Sequence, residues 1–233
     1  VTLLAQYNST ATPAHLLGAK YVLRYLSGSL DHGIAFTSQS ASSYLSTTYS
    51  WPKDDPLLTT YTDANWGPQD ASKPHPGDLI TLTECCSLLG SISTRTGGPL
   101  AWHVIREPRV SRSTCESEIK SADEGTKVTQ FIRHLLADLH MPEITLPTTL
   151  WNDNKGAVDW THNCANKKMR HLNIRNMAVR DAHRCSEILI AHLPGALTVA
   201  DLFTKEHKDD AHFLRLRNII VPPRGKFPTP GGC

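Results

Sequence analysis

Four carboxylates stand apart because each sits at the edge of a different element. Asp63 closes a β-prone run from Leu57 to Trp66 that ends in a Gly67-Pro68 turn signal. Glu118 lies at the start of an amphipathic helix, Asp153 ends a second strand, and Asp201 opens a late helix. Carboxylates are hard oxygen ligands, and acids delivered to one spot from several elements grip divalent cations. Each acid also has a structural reading. Asp63 can make a turn with Asn65, Glu118 can complement its helix dipole, and Asp153 can be a turn residue before Asn154, itself a helix cap. Thr198 to Asp201 has the S/T-x-x-D spacing of a capping box, a role compatible with facing a metal.

The helix that carries Glu118 holds a second acid. Ser113 and Glu116 have capping-box spacing, which gives Glu116 a structural job. Glu118 falls one turn before Ala122 on the apolar side, an odd place for an acid unless something positive meets it.

The elements that must position these acids follow from periodicity and turn residues. Residues 12–27 read as a helix capped by Thr12, with an apolar stripe of Leu16, Ala19, Val22, Leu23 and Leu26. A Ser/Thr-rich stretch, 37–50, precedes a boundary near residue 50, and 68–76 reads as a long polar loop. Strands are expected at 87–95 and 99–105, joined by the hairpin signal Thr96-Gly97-Gly98, with a third short strand at 109–113. A long helix follows over 114–140, its apolar residues running from Ile119 and Ala122 to Phe131, Leu135 and Leu139, with Gly125 as a point where it can kink. Strand 148–153, a short helix 154–160, a helix 169–182 and an apolar strand 187–193 come next. The last fits a buried parallel strand better than an alternating one. Helices near 199–204 and 208–219 precede a Pro/Gly-rich tail from Val221 that reads as disordered. Strand, hairpin, strand and then helix is the opening of an α+β domain.

The totals set limits. The chain has 233 residues, 39% hydrophobic and 20% charged, enough for one good-sized core or a core with an appendage. A net charge of +2 does not by itself indicate nucleic-acid binding. The basic residues are concentrated in Asn166 to His171 and in Arg106, Arg109 and Arg112. No apolar run is long enough to span a bilayer, and the start, Val1 to Ala5, has neither the basic flank of a signal peptide nor an initiating Met, so the chain reads as a piece of something longer. The six cysteines follow no disulfide or C-x-x-C pattern, which points to reduced thiols in an intracellular, non-secreted protein.

Taken in order, the motifs resemble the ribonuclease H domain at the C-terminus of copia-type LTR retrotransposon polyproteins. Thr62 to Trp66 resembles an S/T-D-A-D-W segment, Gly98 to Trp102 resembles G-x-P-I-S-W, and Thr114 to Glu118 resembles S-T-E-A-E. Asp153-Asn154 resembles the D-N strand end, Lys168 to Ile174 the T-K-H-I-D-I segment, and Ala200 to Lys205 the A-D-x-x-T-K segment. Residues 15–28 resemble the end of the preceding reverse transcriptase region, and the aromatic-x-Asp-Asp turn of a polymerase site is absent. The departures are Asn65 for the second acid of the first motif, Cys115 and Ser117 in the helix motif, Arg170 for Lys, and a long divergent loop, 68–86.

The resemblance implies a ribonuclease H-like α+β / α/β fold: a five-stranded mixed sheet flanked by helices, with a small N-terminal helical appendage. It divides the chain into a reverse transcriptase remnant at 1–50, a nuclease domain at 51–220 and a tail at 221–233. It implies a metal-dependent endoribonuclease that cuts the RNA strand of RNA–DNA hybrids. Asp63 would bridge two Mg²⁺ (or Mn²⁺) ions, Glu118 and Asp153 would complete one site, and Asp201 the other. Such chemistry uses ions about 4 Å apart to activate water and offset charge on the leaving oxygen. Lys167, Lys168, Arg170, His171 and Arg112 are the candidate contacts to nucleic acid, and the upstream reverse transcriptase region is the other expected partner. Without metal, crowded carboxylates repel, so some should hold protons.

Three other readings compete. One is a catalytically inactive relic that binds nucleic acid or a partner. Another is an integrase-type nuclease, for which Asp153 and Glu187 come close to a D-x₃₅-E spacing but fall short. The third, a zinc site from His162, Cys164 and His171, matches no common finger spacing.

Overall fold

The Thr-rich run around Asp63 becomes the central strand of the only sheet among the described residues, β1 (Leu58–Asn65). In the computed structural model the described residues are 1–5, 7–34, 58–65, 88–95, 98–107, 111–141, 145–163, 177–205, 207 and 209–223. The other strands are β2 (Leu88–Arg95), β3 (Gly98–Arg106), β4 (Thr148–Asn152) and β5 (Ile188–His192), in the order β3-β2-β1-β4-β5. The first three form an antiparallel meander, while β1–β4 and β4–β5 pair in parallel. Parallel neighbours need crossovers. Helix α3 (Thr114–Asp138) precedes β4, and α4 (Lys155–His162) and α5 (Met177–Arg184) link β4 to β5. After β5 come a 3₁₀ turn (Gly195–Leu197), α6 (Asp201–Thr204) and α7 (Asp210–Ile220). Before β1 lie α1 (Thr2–Ala5) and α2 (Pro13–Ser27). This is the expected five-stranded mixed sheet flanked by helices, with an N-terminal helix.

Both faces of β1 are covered, so it is buried along almost its whole length. On one face Ala122, Leu150, Val158, Val179 and Ile190 join α3, α4 and α5 to the sheet. On the other, Tyr61, Ile92, Trp151, Val199 and Ile220 pack β1, β2 and β4 against α6 and α7. Most buried hydroxyls find a partner. Thr60 meets Ser93 at 2.9 Å and Thr129 of α3 at 2.7 Å, and Thr62 donates to the Trp151 carbonyl at 3.2 Å. Helix α3 lies so close to β1 that a Cβ on Gly125 would stand 2.4 Å from Thr62 Cγ2. The glycine expected to permit a kink is thus required by the contact with the sheet.

Several expectations are revised. Residues 111–113 form no strand, and 108–110 lie outside the described residues. A buried ionic network holds this segment instead: Lys120 pairs with Glu107 and, at 3.0 Å, with Glu116, while Ser111 and Ser117 donate to Glu107. Ser113 caps α3 by accepting from the Glu116 N–H at 3.2 Å, but the Glu116 carboxylate reaches past it to the Arg112 N–H at 2.8 Å, so the reciprocal half of the capping box is displaced by one residue. On α3 the apolar pattern is wider than the buried stripe, and Phe131 is 69% exposed. Strand β5 is parallel as expected, but it is an edge strand whose exposure alternates, with Leu189 44% exposed. Of the helix expected at 169–182, residues 177–182 fall in α5 and the rest lie outside the described residues. Of the tail, residues 221–223 are ordered, with Pro223 bridged to His32 and the Pro222 carbonyl accepting from Gly33 at 3.2 Å, whereas 224–233 lie outside.

Helix α2 forms where expected, with Thr12 as its cap and His15 answering from the third position. Its apolar stripe is not buried, however: Leu16, Leu23 and Leu26 are 59%, 65% and 53% exposed. The segment is tied to the rest near its far end, where Tyr25 meets Phe213 of α7 edge-on at 6.1 Å. Its one acid, Asp31, pairs with His32 at 2.8 Å.

Replacing Gly125 by Ala tests the contact between α3 and β1. Ala is the better helix former by about 1 kcal/mol, yet overpacking costs typically about 1–3 kcal/mol. We expect a lower denaturation midpoint for Gly125→Ala, restored in part by adding Thr62→Ser, which removes the clashing methyl. A stabilised single variant would show that α3 has room at this point.

Candidate metal centre

The site begins with the register of two parallel strands. Thr62 pairs with Asn152 at the end of the β1–β4 ladder, so the next residues, Asp63 and Asp153, come level at the carboxyl edge of the sheet. In open α/β sheets this edge is where sites form. Asp63 is fully buried on the α6 side, where Thr204 donates to its Oδ2. Its own carbonyl accepts from Ser121 of α3 at 2.7 Å, so the strand is held from both layers. A Cβ on its cross-strand neighbour, Gly90, would stand 2.8 Å from Thr204 Cγ2, so glycine is what lets α6 approach.

Glu118 comes from the second turn of α3. Its Oε1 accepts from the Ala64 N–H at 3.3 Å and its Oε2 from Asn152 Nδ2 at 2.9 Å. Asn152 is in turn fixed by donating to Thr62 Oγ1 at 3.2 Å and accepting from the Asn154 N–H at 2.9 Å. One oxygen from each of Asp63, Glu118 and Asp153 lies within 4.8 Å of the other two. Asp201, at the first position of α6, adjoins this trio through Lys205, whose ammonium sits 2.9 Å from Asp63 Oδ1, 2.9 Å from Asp201 Oδ1 and 3.5 Å from Asp153 Oδ2. The capping box expected from Thr198 is not made: the cap position is Ala200, and Thr198 Oγ1 is buried with no hydrogen-bond partner among the described residues. The Asp201 carboxylate turns to Lys205 instead. His192 Nε2 lies 3.0 Å from the Asp153 carbonyl.

Burial and mutual repulsion shift these groups. Burial, then Asp63 and Asp153, push the Glu118 carboxyl well above its ordinary range. Burial and Asp63 raise Asp153, and Lys205 offsets part of the rise. Burial and Asp63 push Asp201 up to about 7, again against Lys205. Burial opposes the Lys205 charge, but Asp63 and Asp201 outweigh it and hold the ammonium above its usual range. A divalent cation fits this donor set, since every ligand atom is a carboxylate oxygen and a positive group already lies against three of the four acids. Asp63, Glu118 and Asp153 are the acids placed to hold it, with Asp201 beside them.

Of the residues singled out for nucleic acid, Lys167, Lys168, Arg170 and His171 lie outside the described residues, and the Arg112 side chain is exposed at the start of α3. For the zinc reading, Cys164 and His171 lie outside. His162 faces the Ile190 carbonyl at 3.1 Å and meets His183 edge-on. For the integrase reading, Glu187 precedes β5 at the end of the ladder opposite Asp153 and accepts from Gln130 at 2.7 Å, so this pair of acids does not meet. Sequence reasoning missed Lys205, Thr204 and Asn152. Lys205 carried a signal, since it follows Asp201 by four residues, the spacing that puts two side chains on one helical face.

The Glu118 shift fixes a pH dependence. The folded state holds this proton more tightly than the unfolded chain, where a Glu titrates at about 4.3. The two states are therefore equal below that value. Stability is lost as pH rises from there through the higher folded value, because ionisation is opposed only in the fold. The metal-free thermal midpoint should fall as pH rises above about 4.3, and Glu118→Gln should flatten that fall. Thermal melts across this range check it, and a variant with an unchanged slope would show that Glu118 is not the group responsible.

No protein-family model matches the chain. It is 28% identical over 210 residues to the retrovirus-related Pol polyprotein from transposon RE1 of Arabidopsis thaliana, which covers 88% of this chain and 12% of that polyprotein. It is 28% identical over 231 residues to the corresponding polyprotein of transposon RE2 from the same plant, covering 96% of this chain and 14% of that one. The chain thus spans only 12% to 14% of the length of these curated relatives. Among solved structures it is similar to LC11-RNase H1, isolated from compost by a metagenomic approach, at 16% identity over 64% of this chain and 93% of that one, with a TM-score of 0.45. The likeness to the two polyproteins extends over most of the chain.

Proposed function

We propose that this chain is a divalent-metal-dependent ribonuclease H that hydrolyses the RNA strand of an RNA–DNA hybrid during retrotransposon reverse transcription, with Asp63, Glu118, Asp153 and Asp201 as its acids. The observation that carries the reading is the meeting of three buried or half-buried carboxylates within 4.8 Å at the carboxyl edge of β1 and β4. The order in which the acids enter, and their delivery by strand, helix, strand and helix, support it. Residues 51–220 would form the nuclease, and residues 1–50 the end of the preceding polymerase region. The exposed leucines of α2 are in keeping with a partner upstream in the polyprotein.

Bound divalent ions would supply an activated water and charge neutralisation at the leaving oxygen. The chain's own residues do the positioning. Thr204 and Ser121 hold Asp63 from opposite layers. Asn152 and the Ala64 N–H leave Glu118 little freedom to turn. Asp201, raised to about 7, must give up its proton before it can hold a cation, so metal affinity should grow as pH rises through that value. Hard Mg²⁺ suits a few carboxylates and keeps several waters, and Mn²⁺ takes similar oxygen ligands. Contacts to the hybrid would fall on its shape, phosphates and 2′-hydroxyls, with Lys167, Lys168, Arg170, His171 and Arg112 as the basic groups offered. No described helix is long and apolar enough to cross a membrane, and a hybrid substrate would place the work in the cytoplasm or nucleus.

A labelled RNA–DNA hybrid tests the reading. Cleavage of the RNA strand should require Mg²⁺ or Mn²⁺, and Asp63→Asn or Glu118→Gln should each reduce it by roughly 10²-fold or more, as removal of a transition-state partner does. Glu116→Ala should behave differently. It should lower stability by about 1–3 kcal/mol through a lost charge-assisted hydrogen bond while the folded fraction keeps its activity. Cutting that survives Asp63→Asn would remove the acid cluster from the mechanism. Metal binding without any cleavage would favour the inactive relic.

A further inference from the structure

We infer that Lys205 is a resident substitute for the divalent cation: it holds the acids together in the metal-free protein, and metal entry displaces its side chain towards solvent. This deepens the reading given under Proposed function and rests on it. Three observations carry it. First, the Nζ atom lies among carboxylate oxygens that a cation would need, two of its three acids being Asp63 and Asp153 of the candidate trio. It lies 2.9 Å from Asp63 and Asp201 and 3.5 Å from Asp153. An ammonium has three N–H donors and no acceptor, so each donor has one carboxylate to serve. A cation held by these same oxygens cannot share the space with it. Second, the acids need such a partner. Asp63 is fully buried, and an unpaired buried carboxylate is costly. Among the described residues the other hydrogen-bond donor on the Asp63 carboxylate is the neutral Thr204 hydroxyl.

Third, Lys205 is built to leave. It is the first residue past α6, with extended backbone and its N–H anchored on the Asp201 carbonyl at 3.0 Å. The side chain is partly exposed, so its stem leads from solvent into the site. Rotation about the side-chain bonds withdraws the ammonium without disturbing α6. Once withdrawn, the long flexible stem still carries a point charge that an anionic substrate would meet near the site.

The inference separates Lys205 from a residue that merely supports the ligands. A support, once removed, weakens metal binding. A competitor, once removed, strengthens it. In Lys205→Met, which keeps much of the stem, we expect a lower metal-free thermal midpoint and a roughly tenfold or greater gain in Mg²⁺ affinity by calorimetry, the size of a charge-assisted hydrogen bond removed from the competing state. In the unaltered chain, acylation of the Lys205 amine, followed by mass spectrometry, should be slow without metal and faster with saturating Mg²⁺. This second measurement needs no variant and stands even if Lys205→Met folds poorly. Weaker or unchanged affinity in the variant, or protection of the amine that persists with metal bound, overturns the inference and leaves the nuclease reading intact. Absence of Mg²⁺ and Mn²⁺ binding in both proteins overturns the nuclease reading itself. Metal binding by the variant alone supports the inference in its strongest form.

Discussion

Repulsion between carboxylates forced together out of water is the constraint on which the rest of this structure depends. Four acids within reach of one point oppose folding, and each is raised or countered rather than relieved by solvent. The surrounding fold answers with fixed donors. Asn152, the Ala64 N–H and the Thr204 hydroxyl each face a carboxylate oxygen, and Lys205 supplies the positive charge. Such an arrangement costs stability and yields a place where a cation is wanted.

Holding that arrangement demands close layers. Helix α3 is pressed onto β1 through Gly125 and hydrogen-bonded to it through Thr129 and Ser121, and α6 is pressed onto β2 through Gly90. The acids on these layers are thereby set by backbone contact as well as by their own side-chain bonds. A second ionic group, Glu107 with Glu116 and Lys120, fixes the segment that enters α3 and so the rotation of the helix that carries Glu118. Glu116 and Glu118 of α3, only two residues apart, serve different structures for this reason.

Much of this was legible in the sequence. Asp63, Glu118, Asp153 and Asp201 each have a structural reading when taken singly, and it was their order on strand, helix, strand and helix that singled them out. The sheet order required the parallel pairing of β1 with β4, which periodicity does not encode. Lys205 was legible as part of the segment from Ala200, four residues after Asp201, but its contact with three acids appears only in the fold, and the task of Asn152 appears only once Glu118 is in place. The spacing S/T-x-x-D/E had different outcomes at the two helix starts where it was read as a cap. Ser113 capped its helix, while Thr198 did not, since Asp201 found a stronger partner in Lys205. The stripe of α2 was read correctly as apolar, but a pattern cannot say whether its covering surface lies among these residues. Strand β5 misled for a related reason: a continuous apolar run looks the same at a sheet edge as at its centre.

The tie between Asp63 and Lys205 spans 142 residues of chain. Most of the sheet can pair before the second of these residues has been made, since β1 to β4 all precede it by more than fifty positions. During synthesis the acids on β1, α3 and β4 therefore gather first, and their counter-charge arrives with the last helices. A polypeptide interrupted after β5 would retain the whole sheet yet face its own carboxylates bare. The completeness of the C-terminal end, rather than of the sheet, decides when this centre becomes electrically balanced.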